Sequence, residues 1–213
     1  EEGKTDPMSV KWTDVIGWRE LPEDYHEKEI FLSAAAEMEQ TVMDAKEREY
    51  QNLVENKTFE SVVDTGQTKI STRWVFTVGG KVWDGTPLEQ VGDGTKTLKV
   101  RLVARGFEED MLDLRTDSPT CSRQSLRLCI ATATTLNWDL HSLDIKSAFL
   151  QGNEIEREAF LTPPKEYREK GMVWKLNKCI YGLKDAPRSW YERLIQEVNH
   201  LKGKISKYDD AMF

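Results

Sequence analysis

Asp144 and Phe149 stand five residues apart in the run Ser142-Leu143-Asp144-Ile145-Lys146-Ser147-Ala148-Phe149-Leu150-Gln151-Gly152. A carboxylate at the end of an extended segment, with an aromatic just beyond it, suits metal-dependent nucleotidyl transfer. Charge developing on a phosphate must be neutralised by a divalent cation. Mg²⁺, with Mn²⁺ as its substitute, takes carboxylate oxygens and completes its shell with water and substrate phosphates. Asp144 is therefore the candidate catalytic and metal-binding residue, and the backbone carbonyl of Ile145 offers a second oxygen. Taken alone, an Asp at a strand end more often caps a turn. A second block, Lys178-Cys179-Ile180-Tyr181-Gly182-Leu183-Lys184-Asp185-Ala186-Pro187-Arg188-Ser189-Trp190-Tyr191, makes the catalytic reading the stronger one. Gly182 in it lets backbone approach a ligand closely. Lys184 and Arg188 are possible phosphate partners, although a solvated helix start explains them nearly as well.

The elements that must position these residues can be read from periodicity. Phe31, Ala35, Met38, Val42, Ala45 and Leu53 recur at the three-to-four spacing of an amphipathic helix over Ile30 to Leu53, ending near Asn56. Two β-rich runs follow, Thr58 to Val63 and Lys69 to Val78. A Gly- and Asp-rich stretch then leads to Leu98 to Phe107, so a long hairpin with its tip around residues 79–97 is expected. In Lys99-Val100-Arg101-Leu102-Val103-Ala104-Arg105 the cations alternate with apolar residues and line one strand face, and Arg suits phosphate because its planar fork donates two parallel hydrogen bonds. Ser122 can cap a helix running to about Leu136. Asp139 to Ile145 reads as a strand, with further extended runs at Arg157 to Leu161 and Val173 to Ile180. Pro187 suits the first turn of a last helix, with Gly203 after it. Strands interleaved unevenly with helices predict an α+β fold.

Composition narrows the function classes. The 213 residues carry a formal net charge of −7, which does not describe a simple nucleic-acid coat. The charge is unevenly placed. Residues 1–60 hold 7 Lys/Arg against 16 Asp/Glu, net −9, which leaves 23 against 21, or +2, for residues 61–213. Cys121, Cys129 and Cys179 are widely spaced, so neither a zinc site nor a disulfide framework is expected. Cys129 and Cys179 read instead as buried thiols in a reducing compartment. No apolar run approaches the roughly 20 residues of a membrane span, and the acidic start is no signal peptide, so an intracellular chain is expected.

From about Ala45 to Phe213 the chain resembles the reverse transcriptases of copia-type LTR retrotransposons, through the two blocks quoted above and the Arg-rich strand. The resemblance implies a right-hand polymerase with fingers and a partial palm, a mixed or antiparallel sheet with packed helices. Residues 1–28, acidic and without clear periodicity, read as a tether, and the rest divides into a fingers-like region with its helix (29–138) and a partial palm (139–213). The resemblance implies nucleotide contacts at Arg101, Arg105, Phe149, Tyr181 and Gly182, with Lys99 and Lys184 possible. Phe149 falls where such polymerases place an aromatic under the incoming sugar, a steric gate against a 2′-hydroxyl. Tyr181 sits where its side chain could contact the sugar or the template base. The implied partners are an RNA/DNA template-primer and dNTPs, with an integrase upstream and a ribonuclease H downstream in a polyprotein. The implied setting is a cytoplasmic virus-like particle or the nucleus.

Departures from the family pattern set further expectations. Glu108-Glu109-Asp110-Met111-Leu112-Asp113 replaces a Gly-x-Asp-aromatic segment. The family's aromatic-x-Asp-Asp box is missing before Phe213, so this chain is expected to be inactive alone. Tyr208-Asp209-Asp210 resembles that box with one residue deleted and is expected not to be catalytic. The alternative reading is a decayed or host-adopted remnant acting as a binding module.

Overall fold

The computed structural model describes residues 25–83, 97–109 and 114–213, with the side chains of the first helix described from residue 38 onward. Residues 1–24 of the expected tether, most of the loop at 79–97 and residues 110–113 lie outside the described residues. The fold is α+β, with antiparallel strand pairing in both sheets. The chain divides into two compact units, Glu1–Asn52 with Trp74–Leu102, and Leu53–Arg73 with Val103–Phe213.

Helix α1, Tyr25–Glu55, belongs mostly to the first unit and starts five residues earlier than its apolar stripe predicts. Val42 and Ala45 on that stripe are buried with Val78, Leu98 and Val100, and Trp74, Phe76 and Trp83 pack against them. Trp74 is thus a core residue, with Lys46 Nζ 5.5 Å from its ring centroid, close enough for a cation–π contact. Strands β2 (Thr72–Val78), β3 (Lys81–Val82) and β4 (Leu98–Ala104) form one sheet in the order β3–β2–β4. The predicted pairing of the 69–78 run with the 98–107 run is present as β2 beside β4, and the expectation is corrected only at its tip. Gly79 and Gly80, both at positive φ, turn the chain straight back into β3, which pairs with β2 at Thr77↔Val82 and Val78↔Lys81. Along β4 Leu98, Val100 and Leu102 are buried while Lys99 and Arg101 are exposed, the alternation of a half-buried strand.

In the second unit β1 (Phe59–Val63), β5 (Phe160–Leu161) and β6 (Met172–Leu176) form an antiparallel sheet in the order β1–β6–β5. Its register runs from Phe59↔Leu176 to Val63↔Met172, and Phe160↔Lys175 follows on the other edge. The rings of Phe59 and Trp174 stack with centroids 3.9 Å apart. Helix α2, Arg123–Leu136, is capped as its sequence predicts: the Ser122 hydroxyl accepts the Ser125 amide at 3.1 Å. Helix α3, Ala186–His200, has Pro187 in its first turn, and Gly203 N closes its end on the Val198 carbonyl at 2.8 Å.

Two expectations fail here. Residues 139–145 are not a strand; they form no ladder among the described residues, and all seven are exposed. A strand persists only when a neighbour takes up its amides and carbonyls, and alternation of side chains cannot supply one. Helix α2 is largely bare as well, with Leu126, Leu128 and Ile130 exposed and Ala133 buried. Cys129, expected inside, is exposed on that helix, whereas Cys179 is buried.

Candidate functional site

The second sequence block folds into a tight turn held by the end of β4. Ala104 N donates to the Tyr181 carbonyl at 2.8 Å. Gly182 follows at φ +90°, and a Cβ there would overlap the Ala104 carbonyl oxygen. A Cβ on Gly106 would in turn overlap the Gly182 carbonyl oxygen. Two glycines thus let two backbone segments touch, so the close approach that Gly182 permits is first of all to its own chain.

The first block arrives from another direction. Ser147 at φ +53° redirects the chain into a short 3-10 helix, Ala148–Gln151, anchored by the fully buried Leu150. Gln151 Nε2 donates to the Lys146 carbonyl at 2.6 Å and closes the turn. Next to it, an added Cβ on Gly152 would lie 2.7 Å from Ser189 Oγ, so this segment is fitted against α3. The outcome is that Phe149 and Tyr181 meet edge to face, with ring centroids 5.3 Å apart, a favourable aromatic geometry.

Behind the turn lies a buried charge network that sequence reasoning missed. Arg157 donates from Nε and Nη2 to the two carboxylate oxygens of Asp185, at 2.8 and 3.0 Å. Its Nη2 also donates to Glu109 Oε1 at 2.5 Å. Glu109, whose side chain is 2% exposed, accepts the Lys184 amide at 3.2 Å, and its carbonyl accepts Lys184 Nζ at 2.7 Å. Burial would raise the Asp185 carboxyl, but the hydrogen bonds and charge of Arg157 outweigh it and hold Asp185 below the usual carboxylate range. Cys179 Sγ lies 3.6 Å from Asp185 Oδ1, and burial together with that neighbouring charge pushes the thiol up to about 12. Nothing local in the sequence announces the network. Its members come from three segments, and only Asp185, an acid at a helix start, carries a positional signal.

The remaining candidate residues divide as follows. Asp144 and Ile145 are exposed in the non-strand segment ahead of the 3-10 helix. Arg105 sits at the start of the 3-10 turn Gly106–Glu108, its amide donated to the Ser71 carbonyl at 2.9 Å. Ser71 returns the connection, donating N and Oγ to the Glu108 carboxylate at 2.7 Å each. Lys99 and Arg101 lie on the first unit and the other candidates on the second. Arg188 pairs with Asp117 at 2.9 Å and Glu192 at 2.6 Å. A cavity of about 560 Å³ in the second unit is lined by other residues, among them Lys57, Glu154, Arg157 and Lys178. Among the described residues no group of three or more His, Cys, Asp or Glu side chains converges as a cation site would require. Asp144 and the Ile145 carbonyl offer two ligating groups, fewer than the near-octahedral shell of Mg²⁺ takes. The described residues do not by themselves fit a complete metal centre. No helix among them is long and apolar enough to cross a membrane.

The chain belongs to the reverse transcriptase (RNA-dependent DNA polymerase) family, whose model matches residues 56–213. Its relatives are retrotransposon proteins of the copia type. It is 34% identical over 157 residues, 70% of this chain, to the retrovirus-related Pol polyprotein from transposon TNT 1-94 of Nicotiana tabacum. It is 35% identical over 133 residues, 60% of the chain, to that from transposon RE2 of Arabidopsis thaliana. The transposon Ty1-BL Gag-Pol polyprotein of Saccharomyces cerevisiae matches 48% of the chain at 34% identity. The chain spans 11%, 8% and 6% of these three proteins. No solved structure matches it.

Proposed function

We propose that this chain is the fingers and partial palm of a copia-type reverse transcriptase, which in the full-length enzyme adds dNTPs to a primer 3′-hydroxyl on an RNA template. The observation that carries the reading is the Phe149–Tyr181 contact, which joins the two motif blocks at one point. Phe149 and Tyr181 form the floor beneath the incoming sugar, with Phe149 the gate against a 2′-hydroxyl. Gly182 keeps the turn close to it. Arg105, beyond the end of β4, takes the triphosphate, with Lys184 a further contact, and by the family resemblance Arg101 and Lys99 on β4 are nucleotide-binding cations as well. Asp144 would give one carboxylate to a Mg²⁺ or Mn²⁺ ion in the full-length enzyme, where that ion would neutralise phosphate charge. The wider partners are integrase and ribonuclease H regions of one polyprotein. The setting is inside the cell, in a virus-like particle or the nucleus.

Primer extension on poly(rA)/oligo(dT) with Mg²⁺ tests the proposal. A longer Pol chain carrying this segment is expected to incorporate dTTP and to lose most of that activity with Asp144→Asn. The 213-residue chain alone is expected to incorporate none, since one carboxylate does not clamp two cations against phosphates. Robust extension by the short chain, or by the Asp144→Asn form of the longer one, overturns the assignment.

A further inference from the structure

The Tyr181–Lys184 turn is gripped from two sides, and the second grip depends on one residue. On one side the backbone of Ala104 and Gly106 packs against Gly182. On the other, Glu109 holds Lys184 through both its carboxylate and its carbonyl. Glu109 in turn is placed by Arg157, whose guanidinium reaches Glu109 and, with two parallel bonds, Asp185 at the start of α3. The Glu109, Arg157 and Asp185 side chains are 2%, 14% and 14% exposed. A fork with donors on several edges can bridge two carboxylates at once, whereas the point charge of a lysine cannot hold both in the same geometry.

We infer that Arg157 is a positioning residue: through Glu109 and Asp185 it fixes the Tyr181–Lys184 turn and so sets how Tyr181 meets Phe149. Its bearing on nucleotide binding rests on the function proposed for those two rings. Arg157 reaches the turn through Glu109 and Asp185, so its effect is exerted at a distance. A buried ion pair is poor evidence of a stability role, because replacing a whole pair with apolar residues often leaves stability unchanged or improved. The arrangement is better explained by what it holds in place.

Nuclear magnetic resonance on the 213-residue chain separates positioning from folding. Two variants are compared with wild type, Arg157→Lys, which keeps the charge, and Glu109→Gln with Arg157→Met and Asp185→Asn, which removes all three buried charges. Both are expected to keep the Phe59–Trp174 ring contacts, to lose or weaken those between Phe149 and Tyr181, and to exchange the Lys184 amide about tenfold faster or more. Wild-type ring contacts and Lys184 protection in both folded variants would overturn the inference. Loss of the Phe59–Trp174 contacts along with the others in both variants would also overturn it, since Arg157 would then be needed for the fold and not for the turn. A titration with dATP on wild type is read independently. Absence of shifts at Phe149 and Tyr181 counts against the nucleotide reading while leaving the effect of Arg157 on the turn intact.

Discussion

Asp209 Oδ2 accepts the backbone amide of Ser122 at 2.8 Å, tying the C-terminal segment to the first residue of the α2 cap. Its other oxygen accepts the Ala211 amide at 3.0 Å. The carboxylate that most resembles a catalytic motif is thus bonded to a helix start. Tyr191 Oη donates to the Asp210 carbonyl at 2.8 Å and fixes the neighbouring residue from α3.

Asp209 should therefore behave as a structural acid with a pH signature. The Ser125 hydroxyl, the Ser122 amide and the Ala211 amide, in that order, hold its carboxyl well below the usual carboxylate range. A group whose folded pKa is depressed contributes stability above its unfolded pKa, about 3.9 for Asp, and loses it as pH falls through the folded value. Urea titrations from pH 6 downward are expected to show Asp209→Asn less stable than wild type near neutrality, with the gap closing below about pH 4. In a polymerase-active longer chain, Asp209→Asn with Asp210→Asn should retain substantial extension. Loss comparable to Asp144→Asn would restore the catalytic reading of this pair.

Gly182→Ala should be costly. The residue sits at φ +90°, and its new methyl would overlap the Ala104 carbonyl. Left-handed strain and overpacking together predict a loss of about 2–4 kcal/mol. Gly171 has φ +75° but open space around it, so Gly171→Ala should lose only the backbone part, about 1–2 kcal/mol. Equal urea midpoints for the two variants would contradict the contact at Gly182.

The three thiols should separate by reactivity. Cys121 and Cys129 are exposed, and Cys179 is buried with its thiol pushed up to about 12. Because the thiolate is the reactive form, a disulfide reagent at pH 8 should label the first two in the folded chain and all three in urea. Cys121 is expected to be slowed, since desolvation and the charge of Asp209 raise it as well. Rapid labelling of Cys179 in native buffer would show that the network around Asp185 opens readily.

What could be read from sequence was what local spacing controls. The stripe Val42, Ala45, Leu53 marked α1, the Ser122 cap marked α2, and the alternation of β4 separated Lys99 and Arg101 from the buried face. Residues 139–145 misled because their composition suits a strand while pairing depends on a neighbour that composition does not specify. Within the site, the two blocks pointed to Phe149 and Tyr181, but the reason that Gly182 must be glycine lay in Ala104, far along the chain. Glu109 and Arg157 gave no signal, because a buried ion pair is made by the fold that brings its halves together.

The stretch from Leu126 to Ile145, exposed apart from the buried Ala133, bears on how the protein can be handled. Leu136, Trp138, Leu140 and Leu143 are more than half exposed, with Leu143 at 89%. Contiguous apolar surface of this kind drives self-association. The 213-residue chain should precipitate as its concentration rises and stain with hydrophobic dyes while still folded. Leu140→Lys with Leu143→Lys should raise the concentration at which it stays in solution.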